Sequence, residues 1–454
     1  MAETAATPAV RERPPDWRSI GADGRGRLTL GLVLVELLAG MQSLIVVAIM
    51  PRVLSDLGGL QFYGLVFSGY MLSGLVSIPL AGREADRHGP ARPFVKMVAV
   101  FLIGTVLASA APSMLLLALA RLVQGYGGGA LYTIGYGVVA KAYPSAIRPR
   151  VIALLTAVWV FSGLVGPGFG ALIAGTIGWR WAFVAIVPVA VIAVWLVAPG
   201  LVGLSTKVEV AAIALRWPIM LSVGAGLVIA GLSLASWWGS IVAAAGIATV
   251  APALPRVLPA GTFGLRRGLP AAVALAFLLN VAFMTADSFV TLLLTSVRGR
   301  SLAEAGVAVT LVAISWSAGS WWQARVSGIR SSRDLVTLGS IVLFLGTAGF
   351  AAALLGAPLV LAYAAWTVAG AGMGVAYSTV LLASMDASPR GDEMRVMAAR
   401  FVSGRLGIIL GTGLGGASIA LADAAGASPS TGLAGVFSLA LAAAAASVVA
   451  SRRL

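Results

Sequence analysis

An all-α membrane protein of fourteen spans is what this sequence predicts, and three observations predict it. Of its 454 residues 59% are hydrophobic and only 10% charged, where a soluble domain carries about 25% charged residues. Apolar stretches recur along the whole chain between short polar turns, each close to the roughly 20 residues that a helix needs to cross a bilayer. These stretches are apolar on every side, whereas the strands of a membrane barrel would alternate.

The elements follow in order. The first 27 residues are polar, Pro-containing and mixed in charge, and read as a flexible cytoplasmic tail. No short apolar core with a small-residue cleavage site precedes the first span, so no removable signal peptide is expected. Six spans fall at 28–51, 61–82, 94–111, 114–140, 150–175 and 181–203. A second six fall at 269–296, 303–324, 335–355, 357–384, 397–423 and 431–450. Between the sets, 213–235 and 238–254 are two shorter apolar pieces split by "SWWG", which predict two linker helices joined by a tight external turn. The expected organisation is a tail over 1–27, an N-terminal six-helix bundle over 28–203, a linker over 204–258 and a C-terminal six-helix bundle over 259–454.

A net charge of +15 ordinarily suggests nucleic acid or an anionic surface, but topology explains it here. With the N-terminus inside, twenty-five of the 31 basic residues fall in the tail, the inside loops and the C-terminus. Four fall outside (Arg52, Arg180, Arg298 and Arg300), and Arg121 and Arg405 lie within spans. Basic residues collect in cytoplasmic loops, so a multi-pass protein of the cell membrane with both termini cytoplasmic is expected, with the bilayer and no nucleic acid as its surroundings. Cysteine is absent and His88 is the single histidine, which excludes disulfides and thiolate or histidine-cluster metal sites; no metal and no cofactor are expected. The glycine-rich "GYGGGA" of Gly125 to Ala130 lies inside an apolar span and not after a strand, so it is no nucleotide loop.

Five charged residues crowd into Arg83 to Arg92. Residues 82–96 are expected to form the turn between the second and third helices. There Asp86 can sit by a helix N-terminus, favoured by about 0.3–1 kcal/mol, and Arg87 can bridge to a neighbouring helix end. The bland alternative is a solvated loop. Gly82-Arg83-Glu84-Ala85-Asp86-Arg87-His88-Gly89 resembles the loop signature of the major facilitator superfamily, although Pro90 and Ala91 stand where basic residues are usual. That resemblance makes Gly82, Asp86, Arg87 and Gly89 candidates for a conformational latch. "GIRSSRD", Gly328 to Asp334, is its faint counterpart in the second half, as two repeated halves would give.

Further motifs carry the same resemblance. "RLVQG", Arg121 to Gly125, resembles the fourth-helix motif of proton-driven members, in which the arginine is implicated in proton transfer. A charge in a span costs about 2.5–3.5 kcal/mol on insertion scales, and Arg121 and Gln124, three apart, share a helix face. Gly166-Pro167-Gly168-Phe169-Gly170 resembles the antiporter motif of exporting members, with Ala171 in place of the usual last glycine, and "GWRWAFV" follows as in the drug exporters. The first span resembles that of the fourteen-helix drug:proton antiporters, which usually carry an acid where Gln42 stands here. The fold implied is the major facilitator fold, two six-helix bundles plus two linker transmembrane helices.

The acids of the spans are the candidate coupling groups. Glu36 is the only acid of the first span, and Asp287 stands past the middle of the seventh, with Asn280 seven residues before it on the same face. A carboxylate whose protonation depends on cavity access is what proton coupling needs. The alternatives are snorkelling for Glu36 and, for Asp287, an ion pair with Arg298 or another external charge. Arg405 is expected to snorkel to the inner surface. Gln42, Tyr70, Gln124, Tyr132, Tyr136, Trp159, Asn280, Phe283, Trp316, Trp366 and Tyr377 are candidates for the wall of a central cavity, each with packing or lipid contact as its alternative. Trp179, Trp181, Trp237 and Trp238 are expected in the outer interfacial belt.

The resemblance implies a proton-coupled secondary transporter, not an enzyme, that exports hydrophobic or cationic small molecules by alternating access, with Glu36, Asp287 and Arg121 in proton coupling. Export of a specific metabolite or lipid is the alternative within transport, and a membrane-embedded transferase the alternative outside it. Small-molecule substrate and protons are the expected partners, and a monomer the expected state.

Overall fold

Hydrocarbon offers no partner for backbone N–H and C=O groups, so each apolar stretch must satisfy its own, and helices do so. The structure is a computed structural model that describes residues 24–144, 147–204, 216–327, 329–387 and 393–454. The latch candidate Asp86, as a side chain, Gly328 and nearly all of the 1–27 tail lie outside the described residues. Among the described residues there is no strand, and fourteen spans are long and apolar enough to cross a membrane.

The first six spans are α1 (Arg25–Leu57), α2 (Tyr63–His88), α3 (Ala91–Ser109), α4 (Met114–Ala142), α5 (Arg148–Thr176) and a sixth in two pieces, α6 (Trp179–Val184) and α7 (Val187–Leu201). The break precedes Pro188, at the start of α7, which lacks the N–H that would continue the preceding helix. The linker supplies α8 (Arg216–Ser233), α9 (Trp237–Val250) and the short α10 (Leu254–Val257). The second six are α11 (Leu269–Leu292), which ends in a π-helical turn, α12 (Leu302–Val326), α13 (Ser332–Ala351), α14 (Leu359–Asp386), α15 (Glu393–Ala424) and α16 (Pro429–Ser451). With an even number of spans the first and last described residues lie at one end of the molecule, the termini end; the opposite is the far end.

Glycine sets how closely these helices approach. The "GYGGGA" run of α4 is a packing device. A Cβ on Gly127 would meet the backbone of Phe101 on α3, and one on Gly129 would come within 2.7 Å of the Gly74 Cα on α2. The linker hairpin is joined the same way: Gly224 and Gly231 of α8 pack on Gly246 and Gly239 of α9. α8 then lies against both α2 and α15, and its Ser222 hydroxyl donates to the Leu72 carbonyl at 2.7 Å.

The two bundles meet along α1, α2 and α5 on one side and α11, α12 and α15 on the other. Their contacts gather in the middle and at the far end. Tyr63 stacks on Phe289 at 5.3 Å, and the Thr291 hydroxyl donates to the Val47 carbonyl at 2.8 Å. Backbone meets backbone where Gly64 faces Gly416: a Cβ on Gly416 would lie 2.6 Å from the Gly64 Cα.

Two expectations need correction here. Residues 82–96 are not a turn: α2 continues to His88 and α3 starts at Ala91, so only Gly89 and Pro90 separate them. The charged run is the polar end of a helix, and Lys96 of α3 pairs with Glu84 of α2 at 3.6 Å. Trp179 is no belt residue. It is 1% exposed, and its indole donates to Asp56 Oδ2 at 3.1 Å, a partner that lets a tryptophan N–H be buried. Trp181, Trp237 and Trp238 are exposed.

Candidate functional site

Buried polar side chains gather around Arg121 and around Glu36 in the first bundle, Asp287 is buried in the second, and Arg405 of α15 reaches to the seam between them. The first is centred on Arg121, in the far half of α4 and 3% exposed. Its Nη1 donates to Gln124 Oε1 at 2.5 Å, its Nε to the Val66 carbonyl of α2 at 3.3 Å, and its guanidinium lies 4.3 Å over the Tyr70 ring. Gln124 in turn donates to Thr105 of α3 at 2.8 Å and accepts from Gln42 of α1 at 3.4 Å. Four helices thus join one hydrogen-bonded network, α2 at the guanidinium and α1 and α3 through Gln124. Arg121 makes no ion pair with any described acid, so dipoles and a ring face alone offset its charge. Nothing in the sequence marks Thr105 or the Val66 carbonyl as its partners.

Glu36 sits about 9 Å further toward the termini end of α1, six residues from Gln42 at 1.5 Å each. It is 4% exposed and does not snorkel. Its Oε1 has no hydrogen-bond partner; Tyr136 of α4 and Trp159 of α5 are the polar side chains that approach the carboxylate. Glu36, Tyr70, Tyr132 and Tyr136 line a pocket with about 20 Å³ of space for the centres of water-sized molecules, enough for about one water and too small for a drug. Tyr132 and Tyr136 pack ring against ring at 4.8 Å.

Asp287, in the far half of α11, is 8% exposed, and its Oδ1 has no partner. The ion pair with Arg298 is absent, because Arg298 donates to the Ala353 carbonyl at 2.7 Å instead. Asn280, one face down α11, donates to its own Ala276 carbonyl at 2.7 Å and packs against Gly404 and Gly407 of α15.

The aromatics of the second bundle divide. Phe283 stacks on Trp366 at 5.3 Å, and Trp366 contacts Phe350, itself packed on Phe437. Trp366 is fully buried, so it belongs to the core of its bundle and not to a cavity wall. Trp316 and Tyr377, 5.7 Å apart, are half-buried and stand at its edge, as Trp159, 39% exposed, does in the first bundle. The antiporter-like motif lies at the seam. Gly166 and Gly170 seat α5 on Leu44 and Ile45 of α1, and the Pro167 carbonyl faces Gly306 of α12.

Arg405 departs most from expectation. It does not reach for the inner surface. Midway along α15, its Nη1 lies at Gly74 of α2, where an added Cβ would come within 2.6 Å, and the tyrosines whose fields reach it are Tyr132, Tyr70 and Tyr377. Arg400, counted from sequence as an inside-loop charge, is instead within α15 and 1% exposed. Its guanidinium stands 4.7 Å from the Tyr377 ring, with Nε and Nη2 unpartnered.

Two helical bundles closed at one end around a polar seam define a membrane transporter. The family model described as Major Facilitator Superfamily matches residues 32–412, and the chain belongs to that superfamily. Its fold is similar to that of a bacterial homolog of the human lysosomal transporter Spinster in an inward-facing, occupied conformation, with a TM-score of 0.65, 19% identity and coverage of 95% of this chain and 97% of that one. The xylose transporter of E. coli, partially occluded and inward open, gives a TM-score of 0.62 at 13% identity over 92% and 97%. In sequence the chain is 27% identical over 410 residues to a probable multidrug-efflux transporter of Mycobacterium tuberculosis, covering 82% of this chain and 84% of that one. It is 32% identical over 170 residues to Multidrug resistance protein 3 of Bacillus subtilis, a match that spans 37% of this chain and only about a third, 33%, of that relative's length.

Proposed function

We propose that this protein is a proton-coupled exporter of hydrophobic or cationic small molecules, working by alternating access in the cell membrane with both termini in the cytoplasm. The observation that carries the reading is Glu36: a buried carboxylate with an unpartnered oxygen, in a pocket of about one water. A carboxylate so held changes charge only when a proton or a cation can reach it, which makes the two mutually exclusive occupants. Asp287, buried and unpaired in the other bundle, gives a second such group, and Arg121 holds the polar framework of α1 to α4. The multidrug-efflux relatives support the direction. Positive charge at the termini end supports the orientation. In the same reading the run from Gly82 through Asp86 and Arg87 to Gly89 latches the ends of the helices in one state and releases them in the other.

The test is uptake of a fluorescent cationic dye into everted vesicles, where export becomes accumulation. Uptake should require an inside-acidic pH gradient and should be lost in Glu36→Gln or Asp287→Asn, both close in shape to the native side chains. Dye movement indifferent to the gradient and to both substitutions would overturn the reading.

A further inference from the structure

The proposal concerns Arg405 and what the cargo must carry. A guanidinium in a membrane interior is costly, and such groups ordinarily pair with an acid. Among the described residues Arg405 has neither an ion-pair nor a hydrogen-bond partner. The end of its side chain is carried across the seam from α15 to Gly74 of α2, where glycine leaves it room. Its surroundings are amphipathic donors and acceptors: Tyr70, which also stacks under Arg121 at 4.3 Å, Tyr132, and Tyr377. Behind Tyr377 the buried Arg400 adds a second positive charge with two unpartnered nitrogens. Glu36 lines one pocket with Tyr70 and Tyr132, and the Arg405 guanidinium stands at Gly74, about one turn of α2 from Tyr70, so a carboxylate and a guanidinium share the same tyrosine neighbourhood.

A cargo with only a cation would meet Glu36 favourably and Arg405 unfavourably. A cargo with only an anion would meet the reverse, and would not compete with a proton for Glu36. From this geometry we infer that Arg405 receives an acidic group of the transported molecule, so that the preferred cargo is an amphipathic zwitterion whose cation faces Glu36 and whose carboxylate, sulfonate or phosphate faces Arg405. Guanidinium suits this task because its planar fork binds such oxyanions in pairs of hydrogen bonds. The inference rests on the reading of the seam as the transported site, and it narrows that reading to one class of cationic molecule.

The experiment uses equilibrium binding to the purified full-length protein, with no gradient, followed by fluorescence polarisation. Rhodamine B carries a xanthylium cation and a free carboxylate; its ethyl ester keeps the cation and loses the acid. Rhodamine B should bind at least about tenfold more tightly than the ester, the order expected of one charge-assisted contact. Arg405→Gln should remove that preference while leaving ester binding unchanged or tighter, and Arg405→Lys should keep part of it. Retained ester binding shows that the variants are folded. Equal affinity for acid and ester, or a preference that survives Arg405→Gln, would overturn the assignment. A zwitterionic lysolipid, lysophosphatidylethanolamine, added as competitor separates two sources of the same chemistry. Displacement assigns the site to lipid headgroups and its absence to free amphiphiles, and either supports the inference once the Arg405 dependence holds. Gradient-dependent uptake is a separate measurement, so loss of proton coupling with the binding preference intact would sink the exporter reading and leave the recognition of an acidic group standing.

Discussion

The close approach of Gly64 and Gly416 makes a prediction that separates two conformations. In Gly416→Val, the new Cβ would stand 2.6 Å from the Gly64 Cα and 2.9 Å from its nitrogen. Both neighbours are backbone, so no flexible side chain can yield. Overpacking of this kind costs about 1–3 kcal/mol, and the cost falls only on the state whose far end is closed. Any state that separates α2 from α15 there escapes it, so the equilibrium should shift by about 5- to 150-fold toward the open far end. The chain has no cysteine, which leaves the background clear for a reporter. Ser288, on the far half of α11 and 6% exposed, can be replaced by cysteine with little change in size. A membrane-impermeant maleimide added from the far side should label Ser288→Cys several-fold faster when Gly416→Val is also present. Equal labelling rates, with thermal unfolding showing both proteins folded, would refute the claim that this contact defines a closed state.

Two further outcomes follow from packing alone. Arg121→Lys replaces a fork with a point charge, so it cannot hold Gln124 Oε1 and the Val66 carbonyl together; thermal unfolding in detergent should register a loss of about 1–3 kcal/mol, and an unchanged midpoint would show that the network contributes nothing. Gly231→Leu drives a side chain into the Gly239 carbonyl and the Ala243 backbone of α9, so it should open the linker hairpin at a cost of about 1–3 kcal/mol, seen as easier proteolysis between the bundles; protection equal to that of the parent would contradict the close packing.

How much of this was legible depends on the link of the chain in question. Spans follow from runs of apolar residues, which is why all fourteen, the linker pair included, fall close to where hydropathy puts them. Periodicity also placed Arg121 and Gln124 on one face, and they bond to each other. What a side chain meets across a helix–helix contact has no such local sign. Trp366 and Trp316 are both tryptophans in apolar spans, yet one is buried in a bundle core and the other edges the seam, because α14 and α12 face different neighbours. Arg405 looked like a snorkelling residue because of its distance along the chain from the charged loop; only the packing of α15 on α2, with glycine at position 74, turns it inward. The charged run after Gly82 misled in a simpler way, since a helix that leaves the hydrocarbon can stay helical in water, as α2 does to His88.

The linker hairpin has one more consequence. The seam between the bundles has two flanks, one where α2 packs on α15 and the other where α5 packs on α12. α8 lies over the first, whereas at the second α5 and α12 close directly on each other, Gly163 against Ala313, with no described linker helix against them. A greasy molecule dissolved in the membrane would therefore meet three helices on one flank and two on the other, so the linker hairpin makes the two sides of the seam unequal.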